Sequence, residues 1–463
     1  MADADLAELR AVVDQPGWID DPNDMAPYLQ EQRGRFQGGA LAVARPSSTG
    51  QVSALVKAAA KAGVQIVPQG GNTGLVGSSM SYPGERAIVL SLQRMNRIEE
   101  IDEQGATMTV EAGCVLQAAC DAADAKGLFF PLDLGARGSA TIGGNIATNA
   151  GGNRVIRYGM MRELVLGLEA VLADGTVISS LNRLIKNNAG YDLKHIFIGS
   201  EGTLGIVTRA VLRLRPKPVS QNVALLAIDS FEMLPRVLRS VERSLGGMLS
   251  AFEVMWEDFY RLVTTPPAQG TAPIPHGHSY YVLLEAMGGD QAEDGARFES
   301  ALAAELDNGQ VANAIVAKSK AECQRLWALR DDVAQVVRHA PFFTFDVSLP
   351  ISEMEEYVRE VRQALLSRWP ATALMVFGHL GDGNLHLIPC VGDGSHETRA
   401  AVENIIYDAL RSRRGSVSAE HGIGLEKRQY LSYSRNAQEI ALMRALKQTL
   451  DPRNILNPGK IFG

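Results

Sequence analysis

Gly143-Gly144-Asn145-Ile146-Ala147-Thr148-Asn149-Ala150-Gly151-Gly152 is polar yet carries no charge. That composition suits the lining of a large neutral ligand. Two runs of similar character accompany it. Gln69-Gly70-Gly71-Asn72-Thr73-Gly74 follows the strand-like Ile66-Val67-Pro68, and Gly199-Ser200-Glu201-Gly202-Thr203-Leu204-Gly205 precedes another strand. Backbone N–H groups presented by Gly, Asn, Ser and Thr make an anion nest. Glycine lets the backbone approach a phosphate without a Cβ in the way. One such run is more often a plain turn. Three in one half of the chain point to a long dinucleotide. None matches G-x-G-x-x-G at the head of a strand–helix unit, or G-x-x-x-x-G-K-[ST], so a Rossmann NAD domain and a P-loop are disfavoured.

A second informative stretch is Phe377-Gly378-His379-Leu380-Gly381-Asp382-Gly383-Asn384-Leu385-His386, which reads as strand, tight turn, strand. With Gly381 to Asn384 as the turn, Leu380 faces Leu385 and His379 faces His386. Directly opposite residues have Cβ atoms roughly 4.5–5.5 Å apart, so both imidazoles reach one metal ion. Glu420, in Ser418-Ala419-Glu420-His421-Gly422, is a further candidate ligand. Two His and a carboxylate with an open position describe a catalytic metal site. The plainer alternative is a hairpin whose histidines make ordinary hydrogen bonds.

The chain has 463 residues, enough for two or three domains. Its 46% hydrophobic and 21% charged content is that of a globular enzyme. A net charge of −7 argues against nucleic acid as partner. The cysteines, at 114, 120, 323 and 390, form no C-x-x-C pair, so an iron–sulfur cluster is not expected. They read as reduced thiols of a cytoplasmic protein. No signal peptide and no transmembrane run is visible.

Val52 to Ala62 has helical spacing and ends at Gly63, a C-cap. Ala87–Leu90 and Met108–Val110 read as short buried strands, so the first half mixes α and β with long glycine loops. Arg215-Pro216-Lys217-Pro218 marks a linker. Beyond it, helices at Phe231–Leu245, Gln291–Leu306, Ile351–Trp369 and Ala400–Arg413 alternate with strands such as Tyr280–Ala286. This predicts an α+β domain with an antiparallel sheet. The tail Asp451–Lys460 is loop-like and packs back on the first domain. The expected division is an N-terminal helical segment at 1–36, a ligand-binding domain at 37–216, a cap domain at 217–420 and a C-terminal segment at 421–463.

Together these motifs resemble the flavin-linked D-2-hydroxyacid dehydrogenases, a group of the vanillyl-alcohol-oxidase-like FAD superfamily. The likeness runs through residues 67–77, 133–152, Asn188-Ala189-Gly190-Tyr191-Asp192-Leu193, 199–208, the two-His hairpin, residues 418–422 and Asn457-Pro458-Gly459-Lys460. It implies an α+β fold: a two-subdomain FAD-binding domain of the PCMH type plus the α+β cap. It also implies FAD held by Pro68, Gln69, Gly70, Gly71, Asn72, Thr73, Gly74, Leu75, Gly77 and Ser78 in the first loop. The second loop would add Asp133, Leu134, Gly135, Ser139, Thr141, Gly143, Gly144, Asn145, Ala147, Thr148, Asn149 and Gly151. The third would add Glu201, Gly202, Gly205, Ile206 and Val207, and the tail Asn457 and Lys460. Asn72 stands where some members tether FAD through a His, so a non-covalent flavin is expected.

The resemblance further implies a divalent metal, zinc first with Mn, Fe or Co as alternatives, on His379, His386 and Glu420. The implied reaction is oxidation of a D-2-hydroxy acid to the 2-keto acid. The metal would act as a Lewis acid on the hydroxyl, His421 would be the general base, and hydride would pass to the flavin. Arg330 would hold a substrate carboxylate, near Asn384. The D-2-hydroxyglutarate branch carries Thr, Lys and Asn where this chain has Ala334, Thr344 and Ile388. Losing a Lys partner makes a buried second carboxylate costly. D-lactate, longer 2-hydroxy acids or D-mandelate are therefore expected before D-2-hydroxyglutarate.

Electrons would leave to an external acceptor, an electron-transfer flavoprotein or a quinone, and a homodimer is allowed. A flavin oxidase or glycolate-oxidase-type subunit, a zinc hydrolase and a non-catalytic nucleotide-binding module are the competing readings. The hydrolase leaves the glycine loops unexplained, and the module leaves the histidines so.

Overall fold

A computed structural model describes residues 2–462. The chain divides into two compact units, Met1–Gly152 with Gly159–Lys217 and Glu420–Gly463, and Asn153–Tyr158 with Pro218–Ala419. Met1 and Gly463, the ends of the expected first and last segments, lie outside the described residues. Two details differ from the sequence reading. Residues up to 36 are no separate body, because Trp18–Ile19 pairs with Ala42–Ala44 and Leu9 shares a core with the helix Thr49–Ala62. And six residues, Asn153–Tyr158, leave the first unit's stretch of sequence to pack with the second.

In the first unit a four-stranded sheet and a five-stranded antiparallel sheet build the framework. Ala42–Ala44, Ala87–Ser91 and Gln65–Gln69 are parallel neighbours, and the helix Thr49–Ala62 makes the crossover. Ser48 caps its N-terminus by accepting from Gln51 N–H, and Gly63 closes it at φ 63°. Its buried Val52, Leu55, Val56 and Ala59 follow the i, i+3, i+4, i+7 spacing of one apolar stripe. Leu456 of the tail joins this core and bridges Ile66 in parallel.

The second unit is one seven-stranded sheet in which every neighbouring pair is antiparallel. Its register places Val223, Leu283, Met255 and Phe377 on a shared face, covered by the helices Glu257–Thr264 and Lys320–Asp331. The same face carries acids in an otherwise apolar setting. Glu285 stands opposite Val223 and Ala251, and Glu253 opposite Leu283 and His379. Glu285 is fully buried and accepts from Arg154, Gln221, Ser250 and Trp327. Burial pushes its carboxyl up, but the Arg154 guanidinium, with the Gln221 and Ser250 donors, holds the group below the ordinary carboxylate range. Trp327 and Arg330 sit three apart on one helix, so a single helical face serves both acids. Among the described residues no helix is long and apolar enough to cross a membrane.

Arg154→Met leaves Glu285 buried without its charge partner. Stability in urea is expected to fall by about 3 kcal/mol, and Arg154→Met/Glu285→Gln to regain most of it.

Candidate functional site

The three glycine runs line one cavity of about 370 Å3 in the first unit. They converge because two glycines leave no room for a side chain. A Cβ at Gly71 would stand 1.8 Å from the Ser139 carbonyl oxygen, and one at Gly70 2.3 Å from Thr141 Oγ1. The central run is not a loop as its glycines suggest. Ile142–Thr148 is a helix, capped by Thr141 and ended by Asn149 at φ 50°. Gln69 Oε1 and Asn145 Nδ2, from two of these runs, are buried without a protein partner.

Most of the expected cofactor residues line this cavity, but Gly77, Asp133, Ser139, Asn149, Asn457 and Lys460 do not. Three of them tie neighbouring segments together instead. Asn457 donates to the carbonyls of Ser78 and Glu201 at 2.8 and 2.7 Å, joining the first loop to the third. Asn149 Oδ1 accepts from Arg162 N–H, and Asp133 pairs by backbone with Gly152. Lys460 is 2% exposed, and burial pushes its ammonium down to about 8. Asn72 lines the cavity while its amide ties to the carbonyl of Gln30 and to Ser79. Leu92 and Phe197 line it without having been expected; only its position beside the third glycine run could have marked Phe197.

Glu420 and His421 also line the cavity. Their stretch has no regular secondary structure. Glu201, at φ 51°, accepts from the Ile423 and Gly424 amides at 2.7 and 2.9 Å and from Ser78. Burial pushes the Glu201 carboxyl above its ordinary value, against the pull of these donors.

The imidazoles belong to the second unit. His379 Nε2 and His386 Nε2 are 3.5 Å apart. The register differs from the expected one: His386 stands opposite Phe377, and His379 opposite Glu253 of the other neighbouring strand. The turn closes one residue earlier, over Leu380–Asp382, because Gly383 at φ 84° supplies its left-handed residue. The histidines are thus diagonal neighbours, still within reach for long side chains.

Glu253 is the functional residue that sequence reasoning missed. It is 1% exposed and bonds His379 Nδ1 at 2.6 Å and Arg330 Nε at 2.8 Å. Burial raises its carboxyl, but His379 and Arg330 together bring it below the ordinary value. The carboxylate accepts, so Nδ1 carries the proton and Nε2 keeps its lone pair. The signal was one acid in the strand Leu249–Trp256, whose residues are all buried. Arg330 is buried, paired with Glu253 and placed over the Phe377 ring at 5.0 Å. Ile388 belongs to an apolar cluster with Met375 and Phe377, Thr344 is half-buried, and Ala334 is exposed. Asn384 is buried, and its Oδ1 has no protein donor.

Residues 217–461 match the family of FAD linked oxidases, C-terminal domain, and residues 40–180 match an FAD binding domain. The chain belongs to the FAD-linked D-2-hydroxyacid dehydrogenase family. A D-2-hydroxyglutarate dehydrogenase of Xanthomonas citri pv. viticola is 40% identical over 100% of this chain and 98% of its own length. The mitochondrial D-2-hydroxyglutarate dehydrogenase of Bos taurus is 39% identical over 100% of this chain and 84% of its own. The fold is similar to that of p-cresol methylhydroxylase, with a TM-score of 0.79 at 16% identity, covering 99% of this chain and 96% of that one.

Lys460 yields a pH test. Its native pKa of about 8 lies below the unfolded value of about 10.4. The cost of burying the charge is fully present below pH 8 and is released as pH rises to about 10.4, where both states are neutral. Lys460→Met is expected to be more stable than the parent at pH 7, by roughly 3 kcal/mol at most. Chemical unfolding should show that gap closing between these two pH values.

Proposed function

We propose that this chain oxidises a D-2-hydroxy acid to the 2-keto acid, with FAD in the glycine-lined cavity and a divalent metal, zinc first, on His379, His386 and Glu420. The observation that carries the reading is the histidine pair, whose Nε2 atoms stand 3.5 Å apart while Glu253 fixes the tautomer of His379. A carboxylate behind a ligating imidazole is a recurrent feature of metal sites. The unpartnered Gln69 Oε1 and Asn145 Nδ2, together with the tight glycine contacts, suit a flavin nucleotide.

The Ala419 amide donates to Asp346, which stands opposite His386 in the sheet, and Glu420 is the next residue in the chain. Consecutive Cα atoms are only about 3.8 Å apart, so this bond supports Glu420 as third ligand. When bound, a divalent ion supplies Lewis acidity toward the substrate hydroxyl. FAD, when bound, supplies the two-electron acceptor for the α-hydrogen. His421 takes the hydroxyl proton. Asn384 offers its buried Oδ1 to a substrate donor. Arg330 orients the substrate carboxylate while Glu253 balances its charge. An external carrier, an electron-transfer flavoprotein or a quinone, takes the electrons onward.

A less polar substrate side chain is favoured within the class. Ile388 lies in an apolar cluster, and the Arg330 charge is already paired. A second reading, D-2-hydroxyglutarate itself, is favoured by the names of the relatives.

Anaerobic flavin bleaching by a panel of D- and L-2-hydroxy acids, before and after chelation, tests both. Bleaching by D-lactate, longer D-monoacids or D-mandelate, abolished by the chelator, is expected. Fast bleaching by D-2-hydroxyglutarate alone selects the second reading, and insensitivity to complete metal removal discards the metal. Glu253→Gln is expected to weaken metal retention about 10- to 100-fold, read by metal content after dialysis.

A further inference from the structure

Glu420 and His421 are adjacent residues with different tasks in the proposed reaction. Their side-chain directions depend on the backbone of a stretch with no helix or strand to hold it. Buried carboxylates stand on both flanks. On the N-terminal side, Asp346 is fully buried, and its Oδ2 accepts from the Ala419 amide at 3.0 Å and the Ser418 hydroxyl at 3.3 Å. On the C-terminal side, Glu201 accepts from the Ile423 amide on Oε1 and the Gly424 amide on Oε2. Ser78 donates to that same Oε2 at 2.5 Å and steadies the carboxylate.

The geometry leaves little slack. A Cβ on Gly422 would meet Glu201 Oε1 at 2.8 Å, and one on Gly424 would meet the Val76 carbonyl oxygen at 2.3 Å. Glu201 itself holds a left-handed backbone at φ 51°, a conformation disfavoured for its residue type. Strain and buried charge gathered at one point mark a functional constraint more often than a stabilising one.

We propose that Asp346 and Glu201 are positioning residues, two carboxylates that clamp the backbone before and after Glu420–His421 and thereby aim the metal ligand and the base. This rests on the roles given to those two residues under the proposed function. Each acid acts through backbone amides of the ligand-bearing stretch.

The test uses the flavin- and metal-loaded enzyme and its Glu201→Gln and Asp346→Asn variants. Amide hydrogen exchange should quicken over residues 419–424 and stay unchanged elsewhere in both. Single-turnover flavin reduction by the best D-2-hydroxy acid should slow by about 10- to 100-fold. In a His421→Ala background the Glu201→Gln change should cost less than in the parent, because one of the two groups being aimed is gone. Unchanged exchange over 419–424, or losses that multiply in the double variant, would overturn the clamp. If His421→Ala alone reduces flavin at the parent rate, the base assignment fails and the exchange result alone decides the clamp. Should the acid variants fold poorly, Ser78→Ala replaces them: local quickening at Ile423 and Gly424 supports the clamp, and its absence overturns it.

Discussion

A carboxylate in the middle of an apolar sheet face has to be paired, because an isolated buried charge is too costly to keep. Glu253 meets that demand with two donors at once, the imidazole N–H of His379 and the guanidinium of Arg330. The consequences spread outward. The imidazole gains a fixed tautomer, the helix Lys320–Asp331 gains a fixed rotation, and Phe377 gains a guanidinium over its ring. Trp327, one turn earlier on that helix, meets Glu285 in the same manner. The second unit thus uses two buried acids to lock one helix onto one sheet face. A purely apolar face would bury the same area with less directional preference.

The first unit solves its problem with missing atoms. Its ligand surface exists because backbone lies directly on backbone at Gly71 and Ser139. No side chain, however small, fits that approach. Asn457 supports this surface by joining two loops through one amide nitrogen. Buried amides used in this way hold loops that lack a ladder of their own. The tail that closes the chain is therefore a part of the cavity wall's support.

Local chemistry was legible in the sequence, and long-range pairing was not. Gly63, the Pro–Lys–Pro linker and the glycine runs announced caps, boundaries and close approaches, since each depends on a few adjacent residues. The helix Ile142–Thr148 escaped because glycines lower helix propensity, while the Thr141 cap and the buried Ile142 and Ile146 decide the outcome. The C-terminal helix Ala437–Leu450 did carry a readable signal, the capping box of Asn436 and Glu439. Glu253 and Glu285 were unreadable as a pair of anchors, because their partners Arg330 and Arg154 lie far along the chain.

The hairpin explains why an incorrect register still brought the same two histidines together. Strand side chains alternate with a period of two, so a slip of one residue would send one imidazole to the opposite face. The slip here is two: Phe377, not His379, stands opposite His386. Both rings therefore remain on one face and meet diagonally. The difference has a chemical benefit. A directly opposed His379 would sit within the hairpin alone, whereas the actual register sets it against Glu253 on the next strand. That contact holds the Nδ1 proton and leaves the Nε2 lone pair toward Arg330 Nη2 at 3.2 Å and His386 Nε2 at 3.5 Å, so the register also sets which nitrogen meets the second imidazole.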